Sequence, residues 1–156
     1  MIRIMFVCHG NICRSPSAEF IMKDIVNKAH LSDKYLIKSS ATSSEEIICG
    51  VGNPIYPPAR QELEKNNIPF ESHLAVQLKH SDYDKYDYFV GMDSNNIRNM
   101  HRIFGSDPNG KISKLMSFTG ADRDVSDPWY SGRFDEAFDD IKAGCTALFE
   151  FTKPLL

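Results

Sequence analysis

The sequence lacks the features that mark membrane proteins and nucleic-acid-binding proteins. No apolar stretch approaches the roughly 18 residues that a membrane-spanning helix needs, and no signal-peptide pattern follows Met1. Lysine and arginine form no block: 18 basic residues are mixed with 21 acidic ones, and the formal net charge is -3. Nucleic acid and anionic membranes are therefore not expected as partners. An anion that binds here must be held by local geometry rather than by the overall field of the protein.

Cysteine is also scarce. Cys8, Cys13, Cys49 and Cys145 are too few and too scattered to form a disulfide framework in a chain of 156 residues. We therefore expect free thiols in a reducing cytosol, and hence a cytoplasmic protein. The length, together with a hydrophobic content of 42%, predicts one compact domain over residues 1–156.

The sequence does contain a regular alternation of strand-like and helix-like segments. The apolar, β-branched run Ile2–Val7 is typical of a strand buried on both faces of a parallel sheet, and a helix with Pro16 in its first turn follows it. Further strands are predicted at 35–38, 86–92 and 112–116, further helices at 59–66, from 93 to about 104 and at 134–151, and a loop at 42–58. This order predicts an α/β fold, a single doubly wound domain with a four-stranded parallel sheet and helices on both faces. Such folds bind ligands at the carboxyl ends of the strands.

The segment that follows the first strand has the composition of a phosphate-binding loop. It reads Cys-His-Gly-Asn-Ile-Cys-Arg-Ser from Cys8 to Ser15. In a tight loop that leads into a helix, backbone N–H groups converge at the positive end of the helix dipole and can bind a phosphate. The backbone groups predicted to do so belong to His9, Gly10, Asn11, Ile12 and Cys13. The same field favours the thiolate form of a cysteine, which is a nucleophile.

Two side chains complete this predicted site. Arg14 can fold its planar guanidinium over the loop and bind a phosphate with two parallel hydrogen bonds. Ser15 can donate a hydrogen bond to the sulfur of Cys8 when that sulfur acts as a leaving group. Gly10 and Asn11 suit the left-handed backbone that the loop requires. An isolated cysteine at this position would instead be interpreted as a small buried residue that ends a strand.

At these residues the sequence resembles the low-molecular-weight protein tyrosine phosphatases, whose signature is V-C-x-G-N-I-C-R-S-P after the first strand. The resemblance extends through Ser40-Ala41-Thr42, Ser72-His73, Met92-Asp93 and Asp127-Pro128-Trp129-Tyr130. It implies a cysteine-dependent phosphatase that hydrolyses protein phosphotyrosine and small aryl phosphates through a phospho-cysteine, with no metal and no other cofactor. The implied partners are a phosphotyrosine-containing protein and a cognate tyrosine kinase.

A phosphatase of this kind needs a proton donor for the leaving oxygen. From spacing alone, Asp127-Pro128 is better explained as a surface turn, with Trp129 and Tyr130 covering the core. In the resembled family, however, Asp-Pro-aromatic is the acid motif. The resemblance therefore predicts Asp127 as the general acid and both aromatic residues as part of the substrate pocket, with Asp124 as the competing candidate acid.

The resemblance also implies supporting roles. Asn11 is expected to hold the phosphate loop in shape, and His73 is expected to form a hydrogen bond with it. Cys13 can form a disulfide with Cys8 in this family, which protects the nucleophile from overoxidation.

The segment 43–58 departs from the family pattern, because it looks longer than usual and lacks the aromatic residue common on that wall. Ile47 or Ile48 is predicted to replace the aromatic ring as a hydrophobic wall. Glu45 and Glu46 would repel acidic substrates if they face the mouth of the site.

Three alternative functions remain to be weighed. A thiol-dependent arsenate reductase needs a close pair of additional thiols near the middle of the chain, and none lies between Cys49 and Cys145. The protein-arginine phosphatases of this family have a small Thr where this chain has Ile12. A catalytically inactive phosphotyrosine-binding module is expected to have lost Cys8, Arg14 or the acid, and this chain retains all three.

Overall fold

The computed structural model describes residues 1–156. Its strands are β1 (Ile2–Cys8), β2 (Tyr35–Ala41), β3 (Ile47–Ile48), β4 (Val51–Gly52), β5 (Tyr88–Gly91) and β6 (Ile112–Lys114). Its α-helices are α1 (Arg14–Lys28), α2 (Pro57–Lys65), α3 (Ser94–Phe104), α4 (Pro128–Ser131) and α5 (Phe134–Thr152). Four strands form a parallel sheet in the order β2-β1-β5-β6, and β3 and β4 form a separate antiparallel hairpin. None of the helices combines the length and the apolar character that a bilayer span requires.

Helices cover both faces of the sheet, as predicted. Ile4 and Phe6 of β1 belong to the larger hydrophobic core, to which α1, α2 and α5 contribute. Met5 and Val7, which alternate with them along the strand, belong to a smaller core that includes Met100 of α3. Because both faces of β1 are buried, the strand is apolar along almost its whole length. The predicted doubly wound α/β fold is confirmed.

Several predicted segments differ from the structure: α2 begins at Pro57 rather than at residue 59, and β5 begins at Tyr88 rather than at residue 86. The segment 42–58 is not only a loop, because it contains the hairpin formed by β3 and β4. Strand β2 extends beyond Lys38 to Ala41, since Ser39 and Ser40 are buried within the sheet. The last predicted strand ends at Lys114, and a 3-10 helix occupies Leu115–Thr119 instead.

The topology brings several chain segments to one edge of the sheet. Strand β1 ends at Cys8, and α1 begins at Arg14 after a short loop. The neighbouring parallel strands β2 and β5 end at Ala41 and Gly91, beside Cys8 and Val7 respectively. The phosphate loop therefore lies at the carboxyl edge, where a doubly wound fold places its ligand.

Candidate active site

A cavity of about 320 Å³ lies in front of the phosphate loop. Its walls consist of the loop residues Cys8, His9, Gly10, Asn11, Ile12, Cys13 and Arg14, together with Glu45, Glu46, Asp127, Trp129 and Tyr130. A somewhat larger cavity of about 380 Å³ lies between α1, β2 and residues 69–71, but it contains neither a cysteine nor a loop at a helix N-terminus. The smaller cavity is therefore the one that combines a nucleophile with anion-binding groups.

Three hydrogen-bond donors converge on the sulfur of Cys8, which is buried at the end of β1. The backbone N–H groups of Asn11 and Ser15 donate to Sγ over 3.3 and 3.4 Å. The Ser15 hydroxyl lies 3.0 Å from Sγ and already accepts a hydrogen bond from Asn11 Nδ2, so its own proton is free to point at the sulfur. This arrangement suits a negatively charged sulfur.

Asn11 holds the phosphate loop in its unusual shape. Its φ of 58° lies in the left-handed region, and its side chain is completely buried. Asn11 Nδ2 donates to Ser15 Oγ (2.8 Å) and Ser39 Oγ (2.9 Å), while Oδ1 accepts from the Val76 backbone (3.0 Å) and lies 3.1 Å from His73 Nε2. The two residues that the resemblance implied as loop supports are therefore in contact.

His73 connects this loop to a buried carboxylate. Its Nε2 faces two acceptors of Asn11, Oδ1 and the backbone oxygen, and so carries a hydrogen. Burial lowers the pKa of His73, although nearby Glu19 acts in the opposite direction. Glu19 accepts hydrogen bonds of 2.6 Å from Ser39 Oγ and from Lys23 Nζ. Glu19 and Ser39 were not predicted as site residues, because Glu19 was interpreted only as part of a helix and Ser39 lies just beyond the predicted strand 35–38.

Arg14 is fixed at the rim of the loop by three acceptors. Nη1 donates to Asp93 Oδ2 (2.8 Å) and to the backbone oxygen of Val125 (2.9 Å), and Nη2 lies 3.4 Å from Asp127 Oδ2. Burial alone would lower the pKa of Arg14, but Cys8, Asp93 and Asp127 together raise it above its ordinary value. The guanidinium therefore stays charged although its side chain is only 3% exposed.

Asp93 has a function that sequence analysis did not predict. It caps α3, the helix predicted to begin at this position, since its side chain accepts a hydrogen bond from the Asn96 backbone over 2.8 Å. It also binds Arg14, which is 79 residues away in the sequence. The resemblance included the Met92-Asp93 pair, and the predicted helix starts at Asp93, but neither feature pointed to a contact with Arg14.

Asp127 is the acidic residue from the predicted acid motif that lines the cavity. Its Oδ1 accepts a hydrogen bond from the Trp129 backbone over 3.0 Å and so caps α4. The competing candidate, Asp124, does not line the cavity, because it pairs with Lys114 over 2.9 Å and accepts from Ser94. Partial burial would raise the pKa of Asp124, but these contacts lower it below its ordinary value.

The predicted pocket walls agree only in part with the structure. Trp129 and Tyr130 line the cavity, and the Trp129 ring packs on Tyr56 with 5.0 Å between the ring centroids. Neither Ile47 nor its alternative Ile48 is among the residues that line the cavity, so the structure does not place either one at the predicted wall. The reason is the hairpin: Ile47 pairs with Gly52, and the chain leaves the cavity after Glu46.

All four cysteines are free in the structure. Cys13 shares the cavity with Cys8. Burial raises the pKa of Cys13, and the nearby Cys8 acts in the same direction. The thiol form of Cys13 is therefore favoured, and the disulfide between Cys13 and Cys8 stays a prediction.

Comparisons with known proteins agree with this geometry. A sequence model of the family described as low molecular weight phosphotyrosine protein phosphatase matches residues 3–154. The low molecular weight protein-tyrosine-phosphatase YfkJ of Bacillus subtilis is 36% identical over 150 residues, which cover 95% of this chain and 94% of YfkJ. PtpA of Staphylococcus aureus, of the same description, is 33% identical over 154 residues, which cover 97% of this chain and 94% of PtpA. The crystal structure of YfkJ gives a TM-score of 0.92 at 35% identity and covers 99% of this chain and 96% of that one. The chain therefore belongs to the low molecular weight phosphotyrosine protein phosphatase family.

Proposed function

We propose that this protein hydrolyses protein phosphotyrosine, and small aryl phosphates, through a phospho-cysteine formed on Cys8. The observation that carries the proposal is the environment of the Cys8 sulfur. Three donors face it at the base of a cavity whose rim holds Arg14 and Asp127. A nucleophile, a cation for the phosphate and an acid for the leaving group are thus within one site.

In the first step, the phosphate of the substrate occupies the loop, where the backbone N–H groups and Arg14 bind its non-bridging oxygens. The Cys8 thiolate attacks phosphorus, the P–S bond forms, and the bond from phosphorus to the phenolic oxygen breaks. Asp127 donates its proton to that oxygen, so that tyrosine leaves as a neutral phenol. Trp129 and Tyr130 provide aromatic surface for the phenyl ring.

In the second step, the phospho-cysteine is hydrolysed. Asp127, now ionised, accepts a proton from water while the water oxygen attacks phosphorus. The P–S bond breaks, inorganic phosphate is released, and Cys8 leaves as a thiolate. The Ser15 hydroxyl, 3.0 Å from Sγ, stabilises the charge that returns to the sulfur.

Three substitutions test the proposal with an aryl phosphate near pH 6 and without added metal. Cys8→Ser and Arg14→Lys are expected to abolish turnover, because one removes the nucleophile and the other the bidentate clamp. Asp127→Asn is expected to slow esters with poor leaving groups most. Asp124→Asn serves as the matched control and should retain activity. Turnover by Cys8→Ser at the rate of the parent protein would contradict the proposal.

The substrate, by this proposal, is a phosphoprotein that a tyrosine kinase produces. The phosphoarginine alternative is tested in the same assay, because a phosphoarginine peptide and a phosphotyrosine peptide of equal sequence can be compared directly. Ile12, where arginine phosphatases of the family have Thr, leads us to expect turnover of the phosphotyrosine peptide only. The chemistry also requires Cys8 as a free thiol, which supports a cytoplasmic location.

A further inference from the structure

Two glutamates, Glu45 and Glu46, form part of the wall of the phosphate cavity. They directly precede β3, in the segment that departs from the family pattern. Glu45 is exposed and Glu46 is half-buried. Neither residue takes part in the two chemical steps proposed above, so their position at the cavity calls for another explanation.

Glu46 is held in place at both its backbone and its side chain. Its backbone oxygen accepts a hydrogen bond from the Asn53 backbone over 2.7 Å, and its Oε2 accepts from Asn53 Nδ2 over 2.8 Å. Asn53 in turn accepts from the Ala75 backbone over 2.9 Å. A Cβ at Gly10 would lie 3.1 Å from Glu46 Cγ, so the missing side chain at Gly10 lets Glu46 pack against the phosphate loop.

Glu45 contacts the phosphate loop from the same segment. Its Oε2 lies 3.0 Å from Nε2 of His9, the residue that follows the nucleophile. Its backbone N–H donates to Ser43 Oγ over 3.0 Å. The Glu45 side chain is 69% exposed, so a charged group of a substrate can approach it from solvent and compete with His9.

Few positive charges around the cavity are available to neutralise the carboxylates of Glu45 and Glu46. Arg14 and His9 are the only basic residues in the walls. Arg14 already binds Asp93 and Asp127, and in the proposed reaction it also binds the phosphate. The residues beside a phosphotyrosine would therefore meet net negative charge at the mouth of the cavity.

We propose that Glu45 and Glu46 determine substrate specificity by favouring phosphotyrosine sites flanked by lysine or arginine over sites flanked by aspartate or glutamate. This inference rests on the proposed function. Each exposed attraction or repulsion of this kind changes affinity by about threefold, so exchanging a flanking lysine for aspartate should change kcat/KM by about tenfold. The preference should weaken as salt is added, because the contacts are exposed.

The test uses three phosphotyrosine peptides that differ only in the residues beside the phosphotyrosine, which are lysine, alanine or aspartate. The measured quantity is the ratio of kcat/KM for the lysine peptide to that for the aspartate peptide, within each protein. The parent protein is compared with the double variant Glu45→Gln/Glu46→Gln, in which the amide oxygen at position 46 can still accept the hydrogen bond from Asn53 Nδ2. Glu150→Gln is the matched control, since Glu150 is exposed and lies near the end of α5. It is 16 positions from Phe134, the first residue of the helix, which corresponds to about 24 Å along the helix axis.

We expect a ratio of about ten for the parent and for Glu150→Gln, and a ratio near one for the double variant. Glu45→Lys combined with Glu46→Gln reverses the net charge of the two positions and should move the ratio below that of the double variant. Such a reversal cannot be explained by a general loss of activity. A ratio near one in the parent, or a ratio that stays at the parental value in the double variant, would overturn the inference. Failure of the proposed function has a different signature, because the parent would then hydrolyse neither an aryl phosphate nor any of the peptides.

Discussion

The side chain of Asp93 makes two contacts, one with the start of a helix and one with the arginine that is proposed to bind phosphate. Its carboxylate caps α3 and also pairs with the buried guanidinium of Arg14. Without the charge of Asp93, Arg14 would be held by the Val125 carbonyl and Asp127 alone, so its guanidinium is expected to change its position.

We therefore predict that Asp93→Asn lowers kcat/KM for an aryl phosphate by about tenfold to hundredfold, because Arg14 loses a charged partner. Asparagine is as good a helix cap as aspartate, so the cap of α3 should persist and the urea midpoint should change little. Steady-state kinetics and urea unfolding of the same preparation check both halves of the prediction. An activity loss that appears only together with a large loss of stability would argue against a specific effect on Arg14.

His73 gives a prediction about pH. Burial lowers its pKa from the usual 6.5, with Lys23 acting in the same direction and Glu19 in the opposite one. The unfolded chain therefore binds a proton more readily at this position than the folded protein does. It follows that the free energy of unfolding is highest above about pH 6.5 and decreases as the pH falls below that value.

We expect the urea midpoint of the parent protein to fall between about pH 7 and pH 5, and that of His73→Gln to fall less. The aspartates whose pKa values are lowered, such as Asp87 and Asp107, lose their contribution only below about pH 4 and do not affect this window. His101→Gln, on the exposed face of α3, is the control. Equal pH slopes for His73→Gln and the parent would exclude His73 as the source.

At the scale of secondary structure, the sequence predicted those elements that have a strong local pattern. Strand β1 and helix α3 agree with the structure to within one residue at each end. The first is a continuous apolar run, and the second begins at a capping residue and has apolar residues at helical spacing. The β3-β4 hairpin was missed. Each of its strands has two residues, and its turn is Cys49-Gly50 rather than the Asn-Gly that usually marks such a turn.

The packing of α5 against the 3-10 helix Leu115–Thr119 is tight at one position. A Cβ at Gly144 would lie 2.5 Å from Leu115 Cγ, and Leu115 is completely buried. Gly144→Ala gains about 1 kcal/mol from helix propensity, but overpacking a closed core costs about 1–3 kcal/mol. We predict a net decrease in the free energy of unfolding, measured by urea denaturation.

Leu115→Ala provides the matched background for this prediction, because it removes the atoms that Gly144→Ala would contact. In that background only the difference in helix propensity between glycine and alanine remains, so Gly144→Ala should increase the free energy of unfolding. If Gly144→Ala has the same sign in both backgrounds, the contact with Leu115 is not the cause of the effect.

At the scale of the whole molecule, the site divides into a part that is continuous in the sequence and a part that the fold assembles. Residues 8–15 form one continuous segment from the end of β1 to the start of α1, so their local order was enough to predict them. Asp127 was predicted only through the family resemblance, since from spacing alone an Asp-Pro surface turn explained its neighbourhood better. Glu19, Ser39 and the Val125 carbonyl come from separate elements, and their contacts depend on strand order and on the packing of α1, which no local pattern contains.

This assembly from separate elements makes anion binding a property of the folded molecule alone. The unfolded chain has no converged N–H groups, so a bound phosphate should stabilise the folded state by mass action. At 100 times its dissociation constant, inorganic phosphate adds about 2.7 kcal/mol, which corresponds to about 5–10 °C in Tm for a chain of this size. Thermal unfolding in phosphate, compared with chloride at equal ionic strength, measures this shift independently of catalysis. Arg14→Lys should reduce it, because a lysine cannot reproduce the bidentate contact; a shift of equal size in that variant would mean that the phosphate stabilises the protein somewhere other than the loop.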